Sequence, residues 1–300
     1  MFNLDIINQK ILLENESVEV WIKREDNIHP YISGNKYRKV KYNIEAAKES
    51  GLDTLLTFGG AFSNHILAVA VAGKELGLKT IGVIRGDELV HNYNTNPTLS
   101  FAQSCGMRFK FVSREDYRKK ASEDFIDKLK TEFGNVYILP EGGTNTLAVK
   151  GCEEILTDED LHFDFICSAV GTGGTISGLI NSSQAHQSVL GFPALKGDFL
   201  NYEIKKYTSK SNWQLITDYN FGGYAKINNV LIEFINKFKT DFGIALDPIY
   251  TGKMLYGIFD MIEKGRFNKN SKILAIHTGG LQGILGMNMR LKAKNMPLIK

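Results

Sequence analysis

Short apolar runs of strand length recur along the chain and alternate with segments whose apolar residues return every three or four positions. VEVWIKR (18–24), DTLLTF (53–58), KTIGVI (79–84), MRFKFV (107–112) and NVYIL (135–139) read as strands. DFICSAV (164–170), SVLGFP (188–193) and KILAI (272–276) do so later, each running into glycine or proline. The spacing predicts helices over 36–50 and 64–76 and a charged helix over 114–133. RGDELVHNYNTNP (85–97) reads as a loop, and KKYTSKS (205–211) is the most loop-like polar stretch of the second half. Strands alternating with helices imply parallel pairing and right-handed crossovers, so the expected fold class is α/β with a mostly parallel sheet. No repeat, low-complexity tract or proline-rich linker marks a domain boundary.

Composition narrows the picture. The chain has 300 residues, 43% hydrophobic and 23% charged, as expected of a globular enzyme and not of a disordered chain. A formal charge of +3, from 36 basic and 33 acidic residues, is too balanced for a nucleic-acid partner. RLKAKNMPLIK (290–300) is basic but short and reads as a solvated tail. Cys105, Cys152 and Cys167 are odd in number and far apart, which suits neither a disulfide framework nor a metal or redox pair. Cys167, inside an apolar run, reads as a small buried hydrophobe. Residues 1–20 lack a basic segment followed by an apolar one, so no signal peptide is expected. No run approaches a membrane span, and the expected compartment is the cytoplasm.

Three glycine clusters follow predicted strands, where ligands of α/β sheets bind. In TFGGAFSNHILAVAVAG (57–73), Ser63 or Asn64 can cap the next helix, or display a hydroxyl and an amide at the mouth of the sheet. AVGTGGTISG (169–178) surrounds a helix N-terminus with four glycines and two threonines, a setting that favours an anion, phosphate above all. It lacks the Gly-Lys-Ser/Thr of a P-loop, and Ile176 breaks the dinucleotide fingerprint. In HTGGLQG (277–283), His277 and Thr278 are polar groups at a strand end, compatible with a simple turn and a satisfied histidine. LDPIYTGKML (246–255) holds an Asp247-Pro248 turn, with Thr251 a plausible cap for a helix starting near Lys253 and Tyr250 just outside it. SGNKYRKVKY (33–42) places Lys36 directly after Gly34-Asn35; such a lysine is usually exposed, and consequential only if it points inward.

Taken in order, IKRED (22–26), GNKYRK (34–39), DTLLTFGGAFSNH (53–65), PEGGTN (140–145), GTGGTISG, LDPIYTGK and IHTGG resemble pyridoxal-phosphate enzymes of the tryptophan-synthase-β type. Within that group they resemble the D-cysteine desulfhydrase and 1-aminocyclopropane-1-carboxylate deaminase family, over nearly the whole chain. The resemblance implies fold type II: two open, mostly parallel twisted sheets flanked by helices. It implies a larger unit from residues 1–40 plus 150–300, a smaller one from 41–149, and a homodimer. Pyridoxal 5'-phosphate is the implied cofactor, with no metal. Lys36 matches the Schiff-base lysine, Lys39 a phosphate ligand, and Asn64 the residue bonding the pyridoxal 3'-oxygen. Gly171, Thr172, Gly173, Gly174 and Thr175 match the phosphate loop; Ser63 matches a hydroxyl at the substrate carboxylate and Tyr250 an active-site tyrosine. Proximity to cations or withdrawal from water would depress the lysine pKa and expose a nucleophilic amine.

Two positions divide that family. Deaminases carry glutamate after the active-site tyrosine and leucine before the late Gly-Gly, while desulfhydrases carry small hydroxyl residues. Thr251 and Thr278 stand at these positions and are desulfhydrase-like, near the pyridine nitrogen. A neutral hydroxyl stabilises a protonated ring nitrogen less than a carboxylate does. Phe62 replaces a frequent glutamine, and the stretch between the phosphate loop and Tyr250 is short for the family. The implied substrate is a small amino acid, with D-cysteine giving pyruvate, hydrogen sulfide and ammonia. Cyclopropane-amino-acid deamination, serine or threonine dehydration, racemisation, and non-catalytic binding of a phosphorylated small molecule are the alternatives.

Overall fold

The computed structural model describes residues 6–13 and 18–300, so the segment read for a signal peptide lies partly outside the described residues. In chain order come β1 (Asn8–Ile11), β2 (Glu19–Lys23) and α1 (Asn35–Glu49). There follow β3 (Thr54–Gly59), α2 (Asn64–Leu76), β4 (Lys79–Arg85), α3 (Pro97–Ser104) and β5 (Arg108–Val112). Next are α4 (Arg114–Arg118), α5 (Glu123–Phe133), β6 (Tyr137–Leu139) and α6 (Thr146–Glu153). Then come β7 (Phe165–Val170), α7 (Gly174–Ser182), β8 (Ser188–Pro193), α8 (Phe199–Lys205) and β9 (Trp213–Leu215). The chain closes with α9 (Asn229–Phe242), α10 (Thr251–Glu263), β10 (Lys272–Ile276) and α11 (Gly283–Lys292).

Two sheets result. One has the order β1-β2-β10-β7-β8-β9, parallel except for the β1–β2 pair. The other, β5-β4-β3-β6, is wholly parallel. Parallel strands are covered on both faces, which explains continuous apolar runs such as Leu55-Leu56 and Ile273–Ile276, all buried. Each such side chain contributes roughly 2 kcal/mol by leaving water. Helix α2 is buried from His65 to Gly73, so it lacks a polar face and serves as core. Helix α1 runs unbroken through residues 40 and 41 and joins the two sheets.

Several expectations need correction. The charged helix over 114–133 is two helices, because the chain turns at 119–122, where Ser122 Oγ donates to the Lys119 carbonyl at 2.8 Å. The loop over 85–97 contains two short 3-10 turns and ends on Pro97 at the first turn of α3, capped by Asn96. The basic C-terminus is no solvated tail. Leu291 and Ile299 are buried, Asn288 exchanges hydrogen bonds with Ile299 at 2.8 and 2.9 Å, and Asn236 donates to the Leu298 carbonyl. Strands β1 and β9 and helices α6 and α9 carried too little signal at their length, or too irregular a pattern, to be read beforehand.

A buried ion pair pins the edge of the larger sheet. Lys23 Nζ lies 2.7 Å from Asp160 Oδ2, with both side chains 2% exposed, and Asn8 donates to the other carboxylate oxygen. Arg38 of α1 grips Glu25 through two hydrogen bonds, at 3.0 and 2.8 Å, and so fixes the helix that carries Lys36.

Candidate active site

The glycine turns after β3, β7 and β10 converge with the start of α1 and the turn before α6. Gly34 has φ 55° and ψ −128°, and a β-carbon there would fall on the Thr278 carbonyl. That close approach, open only to glycine, brings the start of α1 against the strand-β10 turn. Asn35 then donates to Thr175 Oγ1 at 2.7 Å, so α1 and α7 meet end to end.

Lys36 is half-buried, and its Nζ donates to Asn35 Oδ1 at 3.3 Å. Burial, and then the charge of Lys39, bring its pKa down from 10.5 to about 7. Lys39 is 2% exposed and reaches the Gly142 carbonyl at 3.1 Å and Thr144 Oγ1 at 2.9 Å. Thr144 Oγ1 lies 2.6 Å from Thr172 Oγ1, so PEGGTN and the glycine loop after β7 form one polar wall. A β-carbon on Gly174 would sit 3.1 Å from Lys39 Nζ and 2.8 Å from Thr144 Oγ1, so glycine keeps this corner open.

Helix α7 begins behind Gly173, at φ 88°, with no side-chain cap. By contrast α2, α3, α6 and α9 are capped by Ser63, Asn96, Asn145 and Asn228. The first N–H groups of α7 thus have no side-chain partner and lie beside a buried ammonium and the Thr172 and Thr175 hydroxyls. This donor set fits a phosphate. With the Lys36 amine alongside, the residues fit pyridoxal phosphate, the amine suiting its aldehyde.

Ser63 caps α2, its Oγ accepting the Ile66 N–H at 3.3 Å, which leaves the hydroxyl proton to be donated elsewhere. Asn64 lies against the β10 turn: a β-carbon on Gly280 would be 2.7 Å from its Nδ2. Tyr250 packs on Gly171, whose β-carbon would lie 3.2 Å from the ring. The expected Thr251 cap is corrected: Tyr250 occupies the cap position of α10, and the buried Asp247 carboxylate does the capping. Asp247 accepts the N–H groups of Ile249, Tyr250 and Thr251 at 2.9, 3.0 and 2.7 Å. Thr251 Oγ1 donates to Asp247 Oδ1 at 2.8 Å and accepts the Asp247 N–H at 3.0 Å. Its hydroxyl proton is spent, so it has only a lone pair left to offer. His277 is satisfied, its Nδ1 accepting the Gly279 N–H and its Nε2 lying 2.7 Å from the Ala245 carbonyl.

Two residues escaped the sequence reading. Tyr224 lies edge-on to Tyr250, ring centroids 6.3 Å apart. Burial pushes the pKa of Tyr250 well above 10, helped by Tyr224 and Asp247, and burial raises that of Tyr224. The only signal was an aromatic directly after a glycine pair, in FGGYAK (221–226). His65 is buried with Nε2 2.8 Å from Thr57 Oγ1; because Thr57 donates to the Leu139 carbonyl, His65 is the donor to Thr57. Burial, then Lys36 and Lys39, hold its pKa well below 6.5, so it is neutral.

A family model described as "Pyridoxal-phosphate dependent enzyme" matches residues 5–279. The chain belongs to this family. It is 34% identical over 285 residues to a putative 1-aminocyclopropane-1-carboxylate deaminase of Pyrococcus horikoshii, covering 88% of this chain and 85% of the relative. It is 32% identical over 293 residues to the mitochondrial bifunctional D-cysteine desulfhydrase/1-aminocyclopropane-1-carboxylate deaminase of Arabidopsis thaliana, covering 89% of this chain and 73% of that one. Among solved structures, an ACC deaminase homologue superposes with a TM-score of 0.82 at 31% identity, over 97% of this chain and 94% of the other. The family, the cofactor and the α/β fold of parallel sheets flanked by helices therefore stand as the motifs implied.

Proposed function

We propose that the protein is a pyridoxal-phosphate-dependent lyase that releases a keto acid and ammonia from a small amino acid, with D-cysteine the favoured substrate. The observation that carries this is the pairing of a Lys36 amine, brought to about 7, with an uncapped α7 N-terminus walled by Lys39, Thr144 and Thr172. Lys36 would hold the cofactor's aldehyde. Lys39, Gly171, Thr172, Gly173, Gly174 and Thr175 would hold its phosphate, and Asn64, Thr251 and Thr278 its ring. When bound, the cofactor supplies a sink for the electron pair left as the α-proton departs.

The chain's own residues then divide the remaining work. At neutral pH the Lys36 amine exists in both forms, so it is suited to taking and returning a proton. Ser63 has a free hydroxyl proton to offer a substrate carboxylate. The Tyr250 and Tyr224 phenols stay protonated and act as donors, for example toward a departing sulfur. Thr251 accepts only, which suits a ring nitrogen that carries a proton.

One observation favours deamination of 1-aminocyclopropane-1-carboxylate as a second reading. A buried carboxylate, Asp247, backs the Thr251 hydroxyl, so the neutral position is not electrostatically neutral. Homologous names include both activities. We place the division into larger (1–40, 150–300) and smaller (41–149) units, a homodimer and a cytoplasmic location in the same proposal. No helix among the described residues is long and apolar enough to cross a membrane.

The test has two arms. Borohydride reduction of cofactor-loaded protein and peptide mapping should place the label on Lys36; a label elsewhere removes the proposal. A panel of D- and L-amino acids plus the cyclopropane substrate is then assayed for keto acid, ammonia and sulfide. Pyruvate and sulfide from D-cysteine are expected, whereas 2-oxobutyrate from the cyclopropane alone selects the second reading.

A further inference from the structure

Tyr224 lies in the stretch between β9 and α9, where the backbone is unusual. Phe221 and Ala225 both have φ 53°, and Gly222 and Gly223 between them have φ 94° and 116°. Residues with a β-carbon keep such angles only when their surroundings hold them there.

One face of α10 and its cap supplies that hold. Positions 250, 253, 257 and 260 are three, four and three residues apart and so line up. At 250 the Tyr250 ring lies edge-on to that of Tyr224, centroids 6.3 Å apart. At 257 a glycine admits the Tyr219 ring, to which a β-carbon would approach within 2.7 Å. At 260 the carboxylate accepts from the Tyr219 hydroxyl at 2.6 Å. Lys253 is the group that grips the turn itself. Its Nζ donates to the carbonyls of Asn220 and Gly223, both at 2.8 Å, and these bracket Phe221 and Gly222.

Lys253 is 2% exposed, and a buried ammonium is tolerated only where acceptors stand in fixed places. A methionine would fill the same volume at less cost, so the charge has a use. We infer that Lys253 is a positioning residue that sets the Tyr224 phenol against Tyr250 by clamping the Asn220 and Gly223 carbonyls. The inference rests on the reading above, in which both phenols face the substrate, and concerns a residue that reading does not use.

Lys253→Met keeps the side-chain length and removes the donors. The full-length, cofactor-loaded protein is treated with tetranitromethane, which attacks phenolates, and nitrated peptides are mapped by mass spectrometry. Tyr224 should nitrate at least about fivefold faster in Lys253→Met: the residue is already 43% exposed, and freeing its turn lets the phenol leave the Tyr250 ring, where it ionises more readily. In parallel kcat should fall about tenfold, the cost of a misplaced group. A Lys253→Met/Tyr224→Phe double variant should lose no more than Tyr224→Phe alone, because both changes act through one phenol. Unchanged Tyr224 nitration, or losses that multiply in the double variant, would overturn the assignment. Lys253→Gln keeps an amide donor and should fall between parent and Lys253→Met; if Lys253→Met does not fold, it carries the same comparison. Borohydride labelling of Lys36 is scored separately. Its failure would remove the cofactor reading, while the nitration result would still decide the role of Lys253.

Discussion

Gly34 and Thr278 meet backbone to backbone, with the Thr278 carbonyl standing where a β-carbon on residue 34 would be. This seam locks the start of α1, and Lys36 two residues on, to the turn after β10. Ser33 tightens it, its Oγ accepting the Gly280 N–H at 3.1 Å.

Gly34→Ala should therefore cost about 3 kcal/mol or more, combining a forbidden backbone region with a steric clash. Gly51→Ala is the control: φ is 69° there but nothing lies within 4 Å, so about 1–2 kcal/mol is expected. Denaturant unfolding of both variants checks the contrast. Borohydride labelling of Lys36 should drop only in the first.

Lys36 should react with amine-directed reagents along a titration curve centred on about 7, not 10.5, in protein freed of cofactor. The sign for stability follows from proton counting. Between these two pH values the unfolded chain binds the proton and the folded chain does not, so this group's contribution to stability rises as pH climbs from about 7 toward 10.5. Lys253, depressed to about 8 by burial, acts in the same direction over a narrower window. A Lys36→Ala variant should lose the pH-dependent increment assigned to Lys36, as read from unfolding midpoints across that range.

Removing one partner of the Lys23–Asp160 pair leaves a buried charge. Lys23→Met should destabilise by about 3–5 kcal/mol. Lys23→Met combined with Asp160→Leu should recover part of that loss, although Asp160 also accepts the Thr157 N–H at 2.8 Å. Urea midpoints for the two single variants and the double variant decide this; a double variant worse than both singles would show that the charge pair is not the source.

Asp247→Ala removes the acceptor for three backbone N–H groups and the Thr251 hydroxyl. Stability should fall by about 2 kcal/mol, a strong cap. Because Tyr250 loses its anchor, kcat should fall further than KM rises, about a hundredfold. Labelling of Lys36 should persist, since α1 does not depend on this cap.

Much of the architecture was written locally. The apolar runs at 53–58, 79–84 and 164–170 became strands because burial on both faces leaves no polar alternative, and α2 spans Asn64–Leu76 as its spacing predicted. The break between α4 and α5 was not legible, because both halves carry helical spacing and the turn is set by side-chain bonds. Nor was the burial of Leu291 and Ile299, which depends on where α9 lies. Thr251 looked like a cap because Ser and Thr often are; Asp247, four residues earlier, took that role by offering two carboxyl oxygens to three backbone donors.

By itself the sequence determined the alternation of strand and helix, the glycine turns at strand ends and the set of motifs that place the chain in its family. These are short-range properties, set by periodicity and by the conformations open to each residue. Only the tertiary structure decided that Lys39 meets Thr144, 105 residues away, that Asn35 meets Thr175 across 140, and that Tyr224 lies on Tyr250. Such contacts depend on how whole sheets pack. So does the depressed pKa of Lys36, because burial and a neighbouring charge exist only once the chain has closed around it.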